Sequence, residues 1–220
     1  MRLIRFLLRW TLYLLALAVL FVAAGRWVVP PITHTQWVER QRLGALQREW
    51  VPFEAAGPLP AAVIAAEDAN FCAHWGFDFD AIRAALQEER RRGASTISQQ
   101  VAKNVYLWQE STWLRKGIEA AVTLVIEATW PKRRIVEVYV NVAEMGNGVF
   151  GAEAAARHWF GTSAASLTPA QAARIAAILP APHVRSASAP GDFTAGRARS
   201  IAEGARSLRQ SDRLACLSPG

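Results

Sequence analysis

Hydrophobic positions along this chain fall in blocks whose spacing changes from segment to segment. From Trp10 to Gly25 there is no charged residue, and Leu3 to Phe6 extend the apolar run back around Arg5 and Arg9. Carried on to Val29 the run is roughly 20 residues, the length a bilayer core requires. Arg2, Arg5 and Arg9 precede or open it, and Arg9 can snorkel to the interface. The positive-inside bias then puts the N-terminus in the cytoplasm and the rest outside, a bias that Arg26 weakens without reversing. Val22-Ala23-Ala24 resembles a signal-cleavage site, but the run is long for a signal peptide. The expectation is a retained anchor over 1–29, stopped by Pro30 and Pro31.

Helical periods dominate the remainder of the chain. Residues 30–58 are a mixed polar connector. Pro60 suits the first turn of a helix running through Ala61–Ala66 to Glu67-Asp68. Asp80 to Arg92 is amphipathic and ends in the charged run Glu88-Glu89-Arg90-Arg91-Arg92. Ile118 to Trp130 is apolar nearly all round, which predicts a buried helix too short to span a membrane. Ile135 to Ala143 continues in apolar periods, and Gly146, Gly148 and Gly151 break the chain. Ala152 to Trp159 and Pro169 to Leu179 read as alanine-rich helices, the second with Thr168 as cap and Pro169 at its first position. From Ala181 onward Pro, Gly, Ser and Arg accumulate, and a partly ordered tail over 183–220 is expected. No strand pattern stands out, so the fold class is mainly α.

Composition narrows this picture. With 220 residues, 52% hydrophobic and 20% charged, the chain carries one domain with a real core. Its net charge of +7 permits an anionic partner: a membrane surface, a phosphate-bearing substrate or nucleic acid. Cys72 and Cys216 make neither a disulfide framework nor a metal site with flanking ligands, and spacing leaves their pairing open.

Three segments carry candidate chemistry. In Gly93-Ala94-Ser95-Thr96-Ile97-Ser98-Gln99-Gln100-Val101-Ala102-Lys103-Asn104, Gly93 and Ser95 read as a helix start with Ser95 as N-cap. Thr96, Gln100 and Lys103 then share one face, and a helix N-terminus followed by that face suits an oxyanion. Glu67-Asp68 ends an alanine-rich helix. A carboxylate near the negative end of a helix dipole and against apolar surface holds its proton more tightly, as a base working near neutral pH must. His74 and Asp78 come next, spaced to pair and fix the turn. In Arg115-Lys116-Gly117-Ile118-Glu119, two cations and an acid open an apolar helix, an arrangement suited to a diphosphate. Glu119 is also a candidate ligand for a divalent metal, Mg or Mn, since magnesium binds through one or two carboxylates plus substrate phosphate. No organic cofactor is expected.

These segments, in this order, resemble the peptidoglycan glycosyltransferases. The resemblance rests on Glu67-Asp68-x-x-Phe71-x-x-His74-x-Gly76-x-Asp78, on Gly93 to Gln100 with Lys103-Asn104, and on Arg115-Lys116-x-x-Glu119. Lys132 to Asn141, and Gly146-x-Gly148-x-x-Gly151 with Ala155-Ala156-x-x-Trp159-Phe160-Gly161, complete it. It covers about residues 60 to 182 plus the anchor and looks closest to the monofunctional biosynthetic branch. It implies a lysozyme-like, two-lobed glycosyltransferase domain over 59–182, with a smaller membrane-facing lobe. It implies polymerisation of lipid II into linear glycan strands with release of polyprenyl diphosphate. Glu67 matches the general base on the acceptor 4-hydroxyl. Gln100, Lys103, Lys116 and Glu119 match positions at the donor diphosphate, Glu119 being counted with Glu67 as catalytic. Ser95, Thr96, Gln99, Asn104 and Arg115 are further substrate contacts, and Asp68, His74 and Asp78 are supporting residues. Implied partners are lipid II, the nascent strand, the membrane and cell-wall synthesis proteins, with no nucleic acid. The implied location is the bacterial inner membrane, single-pass, with the domain on the periplasmic side. The stretch from Asp78 to Gly93 is several residues shorter than the family's, which bears on acceptor handling. Trp159 stands where tyrosine is common, which reads as packing.

A lysozyme-like hydrolase or lytic transglycosylase shares the fold and a catalytic glutamate, but glycosidic hydrolysis releases no phosphate and gives the cationic segment no task. No serine stands three residues before Lys103, Lys116 or Lys132, so the Ser-x-x-Lys pattern of a penicillin-sensitive transpeptidase is absent.

Overall fold

A computed structural model of the chain describes residues 2–87, 95–110 and 112–218. Gly93, Ala94 and the charged run 88–92 lie outside the described residues, and so does the end of the shortened stretch before Ser95. The elements in order are α1 (Arg2–Ala24), α2 (His34–Leu43), β1 (Gln47–Arg48), α3 (Leu59–Glu67), α4 (Phe79–Gln87) and α5 (Ile97–Tyr106). After these come α6 (Trp113–Thr129), α7 (Lys132–Val142), β2 (Val149–Phe150), α8 (Ala152–Phe160), α9 (Pro169–Ile178) and α10 (Asp192–Gln210). The fold is mainly α, and the two short strands pair in parallel, Gln47 with Val149 and Arg48 with Phe150.

The core forms where α3, α7 and α9 bring their apolar faces together. Leu59, Ile64, Phe71, Ile135, Tyr139, Ile175 and Ile178 are all fully buried there. Helix α3 is wrapped by α9 and α10, which also pack on each other. The expected cap of α9 is present: Thr168 Oγ1 accepts from the Gln171 N–H at 3.2 Å, and the Gln171 side chain reaches back to the Thr168 N–H.

Two expectations need correction. The region after Ala181 is not a partly ordered tail: it contains α10, the helix most extensively packed against α3 and α9. Thr194, Ala198, Ile201, Ala205 and Leu208 give it a buried stripe at helical spacing. A disulfide between Cys72 and Cys216, 144 residues apart, fastens the segment beyond α10 to the loop after α3. Helix α6 is also not buried all round. Ile118 and Leu124 are exposed, whereas Arg115, Glu119, Thr123, Ile126 and Glu127 face inward. The buried polar groups are tolerated because they bond to one another and to α5 and α7.

Helix α1 is the one described helix long and apolar enough to cross a membrane. Its side chains are exposed along most of its length, but its C-terminal end is docked on the domain. The Tyr106 hydroxyl and the Trp130 indole N–H both donate to the Val22 carbonyl, at 3.2 and 3.0 Å. Arg134 donates to the carbonyls of Gly25 and Val28 at 3.1 and 2.8 Å. A Cβ at Gly25 would stand 2.3 Å from the Tyr106 oxygen and 2.4 Å from the Trp130 ring, so only glycine permits this approach.

Candidate active site

Glu67 sits where α3 stops. Asp68 is its C-cap residue, with an N–H that still donates to Ile64 while its side chain turns away to α5. One Asp68 oxygen accepts from the Ile97 N–H at 2.9 Å, and the other pairs with His74 Nε2 at 2.8 Å. The α3–α5 junction is therefore built by Asp68, and His74 is held by Asp68 rather than by Asp78. Asp78 instead accepts from the Ala81 N–H at 2.8 Å and the Asn70 amide at 3.0 Å. The Ala81 N–H, aided by Asn70, holds the Asp78 carboxyl below its ordinary value.

The start of α5 differs from expectation by one residue. Thr96, not Ser95, is the N-cap: its Oγ1 accepts from the Gln99 N–H at 3.2 Å, and Gln99 Oε1 accepts from the Thr96 N–H at 3.0 Å. Thr96 Oγ1 also donates to the Gly76 carbonyl at 2.7 Å. Gly76 has φ 84°, and a Cβ there would meet Thr123 at 2.9 Å, so glycine is required twice over. Thr96 and Gln99 are thus buried and occupied in the cap. With Asp68 on the Ile97 N–H, this helix N-terminus already holds a carboxylate and is not an open oxyanion site. Ser95 is exposed and lines a shallow hollow beside Glu67 and Asp68.

Further along α5, Gln100, Lys103 and Asn104 line a cavity of about 500 Å³ together with Glu67, Tyr139, Glu144 and His183. Gln100 is directed to Glu67 rather than to the cationic segment. Its Nε2 donates to Glu67 Oε2 at 3.2 Å, and its Oε1 accepts from the Tyr139 hydroxyl at 3.1 Å. Burial pushes the Tyr139 phenol well above its ordinary value, with Glu67 and Asp68 adding to it, so Tyr139 remains a neutral donor. The other Glu67 oxygen lies 3.4 Å from Arg197 Nη2, which also donates to the Ala66 carbonyl at 3.3 Å. Arg197 belongs to α10, and sequence reasoning misses it because that segment reads as tail.

The cationic segment forms on the first turns of α6. Thr112 caps the helix, accepting from the Arg115 N–H at 3.2 Å. Glu119 is 2% exposed; Arg115 Nη1 donates to its Oε2 at 2.7 Å, and Lys116 Nζ to its Oε1. Thr123 Oγ1 donates to the Glu119 carbonyl at 2.7 Å. The Arg115 side chain is buried, whereas that of Lys116 is 44% exposed and its charge is open to a ligand. Lys103 lies within reach of both groups of charges. Burial lowers its ammonium below the ordinary lysine value, Glu119 and Glu67 oppose that, and Arg115 and Lys116 reinforce it.

In this structure Glu119 serves as the counter-ion of two side chains. Both carboxylate oxygens are taken by cations, and no other described acid or histidine joins Glu119 in a cluster of three possible ligands. Glu127, unnoticed in the sequence, accepts from Lys132 at 2.9 Å and from Ser98, tying α5, α6 and α7 together. Lys132 also donates to the His74 carbonyl at 2.8 Å and stands 4.4 Å from the Phe71 ring centroid. Trp159, read as packing, donates to the Met145 carbonyl at 2.7 Å.

A carboxylate and a lysine thus face one cleft, beside two cations fixed on a buried acid. The transglycosylase family model matches residues 35–205. The chain is 52% identical to a biosynthetic peptidoglycan transglycosylase of Jannaschia sp. over 213 residues, 96% of this chain and 89% of that protein. It is 47% identical to a protein of that name from Rhodospirillum centenum over 222 residues, 97% of this chain and 96% of that protein. A Pseudomonas aeruginosa protein, also so named, is 49% identical over 208 residues, 89% of each chain. The chain belongs to the transglycosylase family and is a glycosyltransferase.

Proposed function

We propose that this chain is a peptidoglycan glycosyltransferase that polymerises lipid II into linear glycan strands at the inner membrane, with its domain on the periplasmic side. The observation that carries the reading is the placement of Glu67 and Lys103 in one cleft, with Arg115, Lys116 and Glu119 adjoining it. The acceptor 4-hydroxyl attacks the anomeric carbon of the donor sugar, and Glu67 takes the hydroxyl proton as the new glycosidic bond forms. The bond from that carbon to the diphosphate breaks, and polyprenyl diphosphate leaves with its electron pair. Lys103, Lys116 and Arg115 stabilise the charge that develops on the leaving group. Glu119 keeps two of these cations in place. Gln100, itself held by Tyr139, presents Glu67 to the cleft.

The membrane side is supported by α1 and by exposed apolar residues next to the cationic segment. Trp113 and Leu114 are 94% and 74% exposed on the first turn of α6, and α1 packs along that helix. Such a surface suits a polyprenyl substrate that never leaves the bilayer. Retention of α1 as an anchor is favoured because Val22, within the signal-like Val22-Ala23-Ala24, is bonded to Tyr106 and Trp130. An intact mass that includes the first residues, and membrane association that persists in high salt, would bear out the anchor. A mature N-terminus near Gly25 would refute it.

The function is tested by incubating purified full-length protein with labelled lipid II and sizing the product on a gel. A ladder of glycan strands is expected. Cleavage of finished peptidoglycan with lipid II left unconsumed would identify a hydrolase instead.

A further inference from the structure

A second group of charged side chains lies away from the Arg115–Glu119 pair, where the connector helix meets two loops of the domain. Glu39 is on α2, Glu144 follows α7 and His183 follows α9, so three separate elements converge. His183 Nε2 lies 2.9 Å from Glu144 Oε2, and one ligating atom from each of the three residues stands within 4.8 Å of the others. We propose that Glu39, Glu144 and His183 form a binding site for one divalent transition-metal ion at the edge of the cleft that contains Glu67, which Glu144 and His183 line.

In tetrahedral geometry, donors about 2.0–2.2 Å from a zinc-sized ion stand about 3.3–3.6 Å apart. Contraction from separations of up to 4.8 Å therefore takes up to about 1.5 Å, which rotation of the Glu39 side chain and of the half-exposed His183 supplies. The two carboxylates are already held from behind. The Gly148 N–H donates to Glu144 Oε1 at 3.0 Å, leaving Oε2 toward His183. Arg42 forms a salt bridge with Glu39, donating to Oε2 from Nε at 2.8 Å and from Nη2 at 2.5 Å and so leaving Oε1 for an ion, and its Nη2 also reaches Asn147 Oδ1 at 2.6 Å. The helix bearing Glu39 is thereby tied to the turn that follows Glu144. Supports of this kind orient metal ligands and raise affinity.

An imidazole nitrogen with two carboxylate oxygens favours an ion such as zinc or manganese over calcium or magnesium, which prefer oxygen alone. Three protein ligands leave a coordination position for water or a substrate oxygen. Glu39 carries its arginine on one oxygen only, whereas both oxygens of Glu119 carry cations. The inference does not depend on the proposed reaction, because binding is measured directly.

The test is titration of untagged, chelator-stripped full-length protein in detergent with Zn²⁺ and with Mn²⁺, followed by calorimetry and by metal analysis after dialysis. One ion per chain is expected. Glu39→Gln, Glu144→Gln and His183→Ala should each weaken it by at least about tenfold, the lower end of what loss even of an outer support costs. His158→Ala should leave it unchanged, and circular dichroism should show all four variants folded. The proposal is overturned if neither ion binds saturably, which leaves His183 and Glu144 an ion pair only. It is also overturned if any one of the three folded variants keeps the wild-type affinity.

Discussion

Glu67 and Glu119 are the same residue type in two different settings. Glu67 is half-buried at the end of a helix and open to a cleft; it meets one amide and, at 3.4 Å, one guanidinium. Glu119 is sealed inside the first turns of α6 with both oxygens occupied by cations. The first carboxylate has room for a hydroxyl group and can accept its proton. The second is fixed as a counter-charge whose task is to hold Arg115 and Lys116. On the proposed reading, chemistry and charge placement are divided between these two acids.

Substitution should separate the two roles. Glu67→Gln keeps size and hydrogen bonding but removes proton acceptance, and polymerisation should fall by about 10²–10⁴-fold while the protein stays folded. A gel-based rate close to wild type would break the comparison at its first member. Glu119→Gln should lower stability by about 3–5 kcal/mol, because it leaves buried Arg115 without its counter-ion. Denaturant unfolding measures this, and an unchanged midpoint would break the second member. Lys116→Ala should cut the rate by about 10²–10³-fold, the loss seen when one donor to a developing oxyanion is removed. Its melting temperature should hardly move, since that side chain is half-exposed.

Two smaller effects sharpen the contrast. Cys72 and Cys216 join the loop beside Glu67 to the C-terminal segment, so Cys216→Ser should cost about 2–4 kcal/mol in unfolding experiments. The damage should concentrate near Asp68 and His74, with hydrogen exchange around Arg115 and Glu119 unaffected. Lys103 gives a pH signature. Because burial lowers its ammonium, it loses its proton below the ordinary lysine value of 10.5, and kcat/KM should decline as pH rises through that range. Lys103→Arg, which keeps its charge, should move that alkaline limb upward.

Much of this is legible from local pattern. The α9 start follows from Thr168-Pro169 with Gln171, and the Arg115–Glu119 pair from helical spacing alone. The α5 cap falls one residue from its expected place although the discriminating signal is present: Thr96 has Gln99 three residues on, the capping-box spacing, and Ser95 has Ser98. Helix α10 escapes notice because Gly, Ser and Arg are frequent from Ala181 onward, yet Thr194, Ala198, Ile201, Ala205 and Leu208 carry its periodicity. Arg197 is lost with it. The Cys72–Cys216 bond, the Tyr139–Gln100–Glu67 relay and the Glu39–Glu144–His183 group join residues far apart in the chain. No local spacing encodes such contacts.

The central claim is that Glu67 supplies proton acceptance and nothing that holds substrate or fold. The most direct measurement sets Glu67→Gln beside wild type in one preparation, recording lipid II affinity and single-turnover rate together. The account predicts affinity unchanged within a factor of a few and a rate lower by about 10²–10⁴-fold. A variant that turns over lipid II near the wild-type rate, or that fails because it no longer binds lipid II, would contradict it.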